Sequence, residues 1–358
     1  MSIKVLIVDD SLFMRRLISD VLSSDSDSEV VGAVADAEEA RKAIARSRPD
    51  CITLDLILPG EDGLTLLRHI MAEQPTPVVI VSAYSAAGAD ITMQCLEAGA
   101  VGCIVKPSGE LSLDIEDVGP QLIREVKAAA GLDATQILHL AAADAQPKDA
   151  GRSFGDAAKV VVIGASTGGP QTLRILLSSL PANFPGVIIV AQHMPTALFS
   201  EHLATRLSRK CELVVDVFRD EQILRSGRVY FVPGGTEMTL RAGPGETGER
   251  ELPIAPGQAE VTACLRPAAK GELSPSVDAT MMAAAHTFGA HTVGIVLSGI
   301  GHDGTAGMRA IQAAGGHTIA QDGSALINGM PRAVIAAGFA DQVLPVEKMG
   351  LALREIAP

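Results

Sequence analysis

The chain of 358 residues is long enough for about two domains, each with a core of its own. Its apolar content of 47% and charged content of 20% exclude an intrinsically disordered protein, and its net charge of −13 argues against nucleic acid or an anionic membrane as the main partner. The five cysteines show no metal-binding spacing, and we recognise neither a signal peptide nor a membrane-spanning run. We therefore expect a cytoplasmic protein with reduced thiols and no insertion into the membrane.

Residues 1–127 alternate short β-branched runs with helical stretches. The predicted strands are 3–8, 29–35, 51–55, 78–82 and 102–105. The helices predicted between them include 11–23, 37–47, 63–72 and 91–98. This alternation predicts a parallel sheet with right-handed crossovers and helices on both faces.

A change of composition separates this unit from a second one. Residues 128–157 are rich in Ala and Asp, and we interpret them as a linker. A second α/β unit is predicted over 158–358, with strands at 160–164, 186–192, 213–218, 228–232 and 292–298. The Gly- and Pro-punctuated region 243–271 indicates a hairpin excursion outside this core. The predicted fold class is therefore two doubly wound parallel-sheet α/β domains joined by a linker.

Polar side chains follow the strands of the first predicted sheet at their carboxyl ends, where parallel sheets carry their functional groups. They are Asp9, Asp10, Asp55, Ser82 and Lys106. Three carboxylates converging at one edge would repel one another, so the site needs a cation, and oxygen ligands suit Mg²⁺. Asp55 could then attack a phosphoryl donor while Lys106 neutralises the charge of the transferred group.

This arrangement resembles the response-regulator receiver domains. The motifs that carry the resemblance are Asp9-Asp10-Ser11-x-x-Met14-Arg15, Asp55-x-x-x-Pro59-x-x-x-Gly63, Val81-Ser82-Ala83 and Lys106-Pro107. The resemblance implies a flavodoxin-like domain over 1–127 that is phosphorylated by a sensor histidine kinase.

The same resemblance assigns roles to single residues. It implies that Asp55 is the phosphoacceptor and that Ser82 and Lys106 sense the phosphoryl group. It implies that Asp10, Asp55 and the Ile57 carbonyl ligate Mg²⁺, with Asp9 in support. One position departs from the family pattern, because Cys103 stands where receivers usually carry an aromatic switch residue.

A glycine-rich turn follows the first predicted strand of the second unit and carries one serine, in the pattern Gly164-x-Ser166-x-Gly168. Taken alone, the turn fits a phosphate or dinucleotide cradle, a nucleophile elbow, or a plain tight turn. A dinucleotide cradle predicts the spacing G-x-G-x-x-G and an acidic residue after the next strand. Neither is present, because that strand ends in Gln192-His193-Met194.

The strand ends instead favour a nucleophilic serine. His193 could reach the Ser166 hydroxyl as a general base if the two strands are neighbours, and Asp303, after a later strand, could orient the histidine. The chain order Ser–His–Asp differs from the Ser–Asp–His order of α/β-hydrolases. The rival base is His302, and the rival acids are Asp278 and Asp322.

These segments, together with 229–235 and 274–278, resemble the catalytic domain of the chemotaxis protein-glutamate methylesterases. The resemblance implies that Ser166 is the nucleophile, His193 the base and Asp303 the orienting acid. Backbone N–H groups that include the one of Thr167 would hold the oxyanion, and no cofactor is expected in this domain. The chain departs from the family at Ile300 and Glu237, where methionine and histidine are usual.

The function implied by the resemblance is phosphorylation-activated hydrolysis of glutamyl methyl esters on methyl-accepting chemotaxis receptors, with deamidation of receptor glutamines at the same site. We expect the unphosphorylated receiver to cover the triad and charge at Asp55 to release it. Two alternatives stay open. One is a response regulator with a non-catalytic nucleotide- or metabolite-binding output domain, and the other is a regulated esterase that acts on another substrate.

Overall fold

The computed structural model describes residues 2–82, 86–106, 115–132, 137, 159–243, 254–256, 259–269 and 273–356. The chain forms two compact units, Met1–Ala143 and Asp144–Pro358. Most of the predicted linker 128–157 lies outside the described residues, so the domain boundaries at 127 and 158 stay predictions. Within the described ranges, no helix combines the length and the apolar composition needed to cross a bilayer.

The first unit is built on five parallel strands. They are β1 (Ile3–Val8), β2 (Ser28–Val34), β3 (Cys51–Asp55), β4 (Val78–Ser82) and β5 (Gly102–Val105). The helices are α1 (Leu12–Ser23), α2 (Ala37–Ser47), α3 (Gly63–Glu73), α4 (Ala86–Glu97) and α5 (Ile115–Ala130). The strand order β2-β1-β3-β4-β5 is the flavodoxin-like topology, which confirms the predicted fold of this unit.

The apolar runs of this unit become strands because helices cover them on both faces. Every residue of β3 and β4 is buried, as expected for the middle of a parallel sheet. Helix α1 begins after Ser11, whose hydroxyl accepts a hydrogen bond from the Met14 N–H at 3.4 Å and caps the helix. Helix α4 begins at Ala86 rather than at the predicted residue 91, because Ala and Gly in this stretch give no apolar periodicity.

The second unit contains ten strands among the described residues. They are β6 (Val160–Ala165), β7 (Val187–Gln192), β8 (Val214–Val217), β9 (Gln222–Ile223), β10 (Arg228–Phe231), β11 (Thr236–Ala242), β12 (Val261–Pro267), β13 (Thr292–Val296), β14 (His317–Gln321) and β15 (Gln342–Leu344). The helices are α6 (Gly169–Ser178), α7 (Ala197–Ser208), α8 (Val277–Phe288), α9 (Thr305–Ala313), α10 (Gly329–Ala336) and α11 (Val346–Ile356). Seven strands form a parallel sheet in the order β15-β14-β13-β6-β7-β10-β8.

The other three strands form a small antiparallel sheet in the order β11-β12-β9. Strand β12 lies in the region 243–271 that was predicted to leave the core as a hairpin, and it pairs with β11 from Thr236↔Pro267 to Ala242↔Val261. Residues 244–253 of that region lie outside the described residues. The sequence analysis did not predict β14 and β15, which extend the parallel sheet beyond β13.

The order of the central strands determines where the loops after β6, β7 and β13 lie. Strand β6 lies between β13 and β7, and it pairs with both in parallel. The carboxyl ends of these three strands therefore meet at one edge of the sheet, where parallel α/β sheets bind their ligands.

Candidate active site

Ser166 lies one residue beyond β6, in the turn that leads into α6. Gly168 completes this turn with a φ of 77°, and a Cβ at this position would lie 2.5 Å from Ser298 Oγ. Both the conformation and the available space therefore require glycine. The turn holds Ser166 at the N-terminus of a helix, whose first N–H groups favour a developing negative charge.

The end of β13 holds the serine turn from one side. The Ser166 N–H donates to the Ser298 carbonyl at 2.9 Å, and the Ser298 hydroxyl donates to the Thr167 carbonyl at 2.7 Å. Gly299 approaches so closely that a Cβ there would lie 2.8 Å from the Cβ of Ser166. The position of the serine side chain therefore depends on the absence of a side chain at residue 299.

His193 follows β7, and Asp303 lies in the loop between β13 and α9. The His193 Nε2 atom lies 2.8 Å from Asp303 Oδ2. The two side chains are only 5% and 20% exposed, so water screens the contact little. A carboxylate in this position orients the imidazole and stabilises its protonated form.

Asp303 is also bound by the N-terminus of α8. Its Oδ2 accepts the Val277 N–H and its Oδ1 accepts the Asp278 N–H, each at 2.8 Å. Burial acts to raise the pKa of Asp303, but the hydrogen bonds from His193 and these two amides outweigh it and hold the pKa below its ordinary value. Asp303 is therefore an anion at neutral pH.

Ser166 and His193 lie at adjacent strand ends, but their side chains do not share a hydrogen bond in this structure. The His193 N–H donates to the carbonyl of Ala165, the residue before Ser166, at 2.9 Å. Because Nε2 faces Asp303, the other ring nitrogen, Nδ1, is the one available to a serine. It is buried and has no hydrogen-bond partner among the described residues. Catalytic hydrogen bonds of this kind often tighten only when substrate binds.

The rival residues occupy other places. His302 is exposed at the loop surface. Asp278 accepts the Gly307 N–H at 2.6 Å, at the start of α9, and Asp322 accepts the Ser324 N–H at 3.0 Å in a local turn. These contacts give the two acids capping and turn-forming roles.

The two positions that depart from the family pattern, Glu237 and Ile300, lie close to Asp303 through contacts or along the chain. Glu237 in β11 is buried, and its Oε1 accepts the Ser276 N–H at 3.3 Å, one residue before the amides that bind Asp303. Ile300 is partly buried in the loop that leads to Asp303. Glu237 is therefore a second carboxylate at the start of α8.

In the first unit, one lysine bridges two buried carboxylates. The Lys106 Nζ atom lies 2.7 Å from Asp55 Oδ2 and 2.8 Å from Asp9 Oδ2. Burial raises the pKa of Asp55. Lys106 opposes this rise, and the negative charge of Asp9 adds to it. For Lys106, burial acts to lower the pKa, but the two carboxylates outweigh it and raise the pKa, so the ammonium stays charged.

The acidic residues of this site are close enough to share a cation. Asp9, Asp10 and Asp55 each offer a carboxylate oxygen, and these oxygens lie within 4.8 Å of one another. Asp10 is exposed, whereas Asp9 and Asp55 are buried. Oxygen donors that lie close together next to solvent are suitable ligands for a hard cation such as Mg²⁺, which keeps several of its water ligands.

The remaining receiver residues surround this cluster. Ser82 is buried at the end of β4, and its carbonyl accepts the Lys106 N–H at 2.8 Å. The Ile57 N–H bonds the Asp55 carboxylate, while its side chain is 68% exposed. Cys103 lies in β5, and burial raises the pKa of its thiol to about 12, so the thiol stays neutral.

The sequence analysis missed two buried polar side chains at the carboxyl ends of parallel strands. Gln321, the last residue of β14, accepts the Ser298 N–H through Oε1 at 3.0 Å. Gln192, the last residue of β7, is also buried. Gln192 ends an apolar strand, and this position is the signal that could have singled it out. Gln321 ends a strand of mixed polar and apolar residues, which gives no such signal.

Comparisons with known proteins agree with the two-unit architecture. The model of the CheB methylesterase family matches residues 161–353, and that of the response regulator receiver domain matches residues 5–115. A Thermotoga maritima protein named protein-glutamate methylesterase/protein-glutamine glutaminase is 37% identical over 359 residues, which cover 99% of this chain and 98% of the relative. A Symbiobacterium thermophilum protein of the same name is 38% identical over 366 residues, covering 98% and 96%.

A solved structure extends the likeness to three dimensions. The catalytic domain of the Thermotoga maritima CheB methylesterase is 36% identical, has a TM-score of 0.50, and matches 56% of this chain and 98% of its own. These findings do not favour a non-catalytic output domain. With likeness over nearly its whole length and both family models matched in order, the chain belongs to the CheB methylesterase family and carries a response regulator receiver domain ahead of its catalytic domain.

Proposed function

We propose that this protein hydrolyses γ-glutamyl methyl esters on methyl-accepting chemotaxis receptors under the control of phosphorylation at Asp55, and that it deamidates receptor glutamines at the same site. The names of the full-length relatives support both activities. The observation that carries the chemistry is the 2.8 Å contact between His193 and Asp303, at the strand end next to the turn that holds Ser166.

The first half of the reaction forms an acyl-enzyme. Ser166 Oγ attacks the ester carbonyl while His193 Nδ1 takes the hydroxyl proton, and Asp303 stabilises the imidazolium that results. Negative charge develops on the carbonyl oxygen at the N-terminus of α6, where backbone N–H groups that include the one of Thr167 stabilise it. His193 then gives the proton to the departing methoxide, which leaves as methanol.

The second half returns the enzyme to its starting state. A water molecule gives a proton to His193 and adds to the acyl carbon, and Ser166 leaves with that proton. The product is a free glutamate side chain on the receptor. With a glutamine amide in place of the ester, the same steps release ammonia instead of methanol.

In the receiver unit, Asp55 would take a phosphoryl group from the phosphohistidine of a sensor kinase. Asp10, Asp55 and the Ile57 carbonyl would hold Mg²⁺, with Asp9 in support, and the ion when bound supplies positive charge to the transferred group. Ser82 and Lys106 would bind the phosphoryl oxygens after transfer. We propose that the negative charge added at Asp55 rearranges the contacts of Lys106 and relieves a restraint on hydrolysis.

The proposed partners place the protein in the cytoplasm, where kinase and receptor signalling regions lie. All five cysteines are free thiols in the structure, which is the usual state in that compartment.

The test is methanol release from methylated receptor fragments, measured with the full-length protein in the presence and absence of Mg²⁺ and a small phosphodonor. Ser166→Ala should abolish release and leave the circular dichroism spectrum unchanged. Ser179→Ala, at the other end of α6, is the matched control and should retain full activity. Asp55→Asn should keep the basal rate and lose the increase caused by the phosphodonor.

Comparable methanol release by Ser166→Ala would disprove the assignment of the nucleophile. If the intact enzyme releases no methanol from receptor fragments but hydrolyses small activated esters, the serine chemistry stands and the proposed substrate is wrong.

A further inference from the structure

Gln192 is the last residue of β7 and comes immediately before the proposed base. Its side chain points into the protein and is 2% exposed. The Nε2 atom donates two hydrogen bonds, one to the Ser166 carbonyl at 2.9 Å and one to the His193 carbonyl at 3.0 Å. One amide group therefore joins the backbone of the proposed nucleophile to the backbone of the proposed base.

The orientation of this amide follows from its partners. Both partners are carbonyl oxygens, which only accept hydrogen bonds, so the NH₂ side of the amide must face them. The two protons of Nε2 match the two acceptors. Rotation of the amide by half a turn would place Oε1 against both carbonyls and break both bonds.

The bonds from Gln192 lie beyond the point where the sheet ends. The pairing of β6 with β7 stops at Ala165↔Gln192, and one further backbone bond, from the His193 N–H to the Ala165 carbonyl, follows it. Beyond this point no backbone hydrogen bond between the two strands, within the described part of the chain, fixes Ser166 relative to His193. The Gln192 side chain instead connects the two residues.

The surrounding structure leaves room for this amide. A Cβ at Gly169 would lie 2.0 Å from Gln192 Oε1, so glycine at the start of α6 permits the close approach. The Ser166 carbonyl also accepts the Gly169 N–H at 2.8 Å. Gln192 is thus packed against the first turn of the helix that begins at the nucleophile.

We propose that Gln192 is a positioning residue that sets the distance between Ser166 and His193. The inference rests on the proposed hydrolase function, but it assigns Gln192 no contact with the substrate. Its effect would be transmitted through two backbone segments, since a shift of about 1 Å between reacting groups can lower a rate about 100-fold.

The experiment compares Gln192→Met with the intact full-length enzyme in the methanol-release assay. Methionine is similar in length and unbranched, but it cannot donate a hydrogen bond. We expect kcat to fall about 10- to 100-fold with KM nearly unchanged, because substrate contacts persist while the reacting groups are misaligned. The pH at which activity is half-maximal should not move, because Asp303 and its contact with His193 are untouched.

Two further variants separate positioning from loss of stability. Thr292→Val removes a buried hydroxyl that donates to the Ala284 carbonyl at 3.2 Å, at the amino end of β13 and far along the strand from the triad. It should lower the melting temperature without lowering kcat per folded molecule. Gln192→Asn keeps the amide but is one methylene shorter, so it should fold and lose kcat. It serves as the test if Gln192→Met does not fold.

Each outcome of these experiments supports or overturns a specific claim. Unchanged kcat per folded molecule in the folded Gln192 variants would overturn the proposal, as would a drop that appears only in KM or that accompanies a shifted pH midpoint. An intact enzyme that releases no methanol would instead refute the proposed function, and an active Ser166→Ala would refute the assignment of the nucleophile. Loss of kcat in both Gln192 variants but not in Thr292→Val supports the positioning role.

Discussion

Asp303 caps α8, the helix that carries Asp278, and Asp278 caps α9, the helix that follows Asp303. Asp303, two residues before α9, accepts the N–H groups of Val277 and Asp278 at the start of α8. Asp278, in the first turn of α8, accepts the Gly307 N–H in the first turn of α9 at 2.6 Å. The loop that carries Asp303 is therefore held by both helices.

This relationship predicts the effect of Asp303→Asn. The asparagine amide cannot stabilise a protonated His193, and its NH₂ group favours the wrong imidazole tautomer. We expect kcat for methanol release to fall about 10³- to 10⁴-fold. The free energy of unfolding should fall by about 1 kcal/mol, because one of the backbone N–H groups that Asp303 binds loses its acceptor. Asp322→Asn, which alters a carboxylate after the neighbouring strand, is the matched control and should keep normal kcat. Equal activity of the two variants would show that Asp303 has no role in catalysis.

The two capping acids should respond to pH in opposite directions. The pKa of Asp303 is held low in the folded protein, so its contribution to stability is present above about pH 4 and is lost as the pH falls through the folded value. The pKa of Asp278 is raised, chiefly by burial, so its contribution is present at acid pH and is lost as the pH rises through the folded value.

Melting curves of two variants across the pH range test this difference. At pH 7, Asp303→Asn should lower the melting temperature, and Asp278→Asn should raise it, because asparagine caps α9 without a buried charge. Near pH 3 both differences from the intact enzyme should shrink. A fall in melting temperature at pH 7 for Asp278→Asn would contradict the assigned direction of its pKa.

The close approach of Gly299 to Ser166, the proposed nucleophile, predicts that even one methyl group at residue 299 is harmful. In Gly299→Ala the new Cβ would lie 2.2 Å from Met330 Sδ and 2.8 Å from Ser166 Cβ. We expect at least about a 10-fold loss of kcat and a destabilisation of about 1–3 kcal/mol from overpacking. In Gly323→Ala the new methyl group meets no heavy atom within 4 Å, so stability and kcat should be unchanged. Normal kcat in Gly299→Ala would contradict this prediction and mean that the turn with Ser166 can move to accommodate the methyl group.

The ion pairs of Lys106 predict a linkage between stability and Mg²⁺. Lys106→Met leaves Asp9 and Asp55 without their cation, and losing one partner of a buried pair costs about 3–5 kcal/mol. We expect a lower melting temperature for the receiver unit and partial recovery in millimolar MgCl₂. Lys42→Met, which removes an exposed helical pair with Glu38, should melt normally with or without Mg²⁺. A Lys106→Met protein that Mg²⁺ does not stabilise would argue against the cation site.

Much of the fold could be predicted from the sequence because its central strands are uninterrupted apolar runs. The bounds of β1, β3, β4 and β5 agree with the prediction to the residue, and β6 and β7 agree within one residue. The short edge strand β15 was missed because Gln342–Leu344 is too brief to show a period. Strand β14 was missed because His317–Gln321 mixes polar and apolar residues although most of it is buried.

The site was predictable to the level of strand ends but not of hydrogen bonds. Ser166, His193 and Asp303 could be selected because each follows an apolar strand, and the adjacency of β13, β6 and β7 confirms that their carboxyl ends meet. The ring nitrogen that faces Asp303 and the reciprocal caps depend on contacts between segments that are distant in the chain. No local pattern records such contacts, so only the folded structure shows them.

The position of β13 beside β6 also sets when the site can first exist during synthesis. A ribosome makes β6 and β7 early, with Ser166 and His193 behind them, and makes β13 and Asp303 only after the antiparallel sheet and α8. Until then Ser166 lacks the Ser298 carbonyl that binds its N–H, and His193 lacks its acid. A nascent or truncated chain that ends before β13 therefore lacks the complete proposed site.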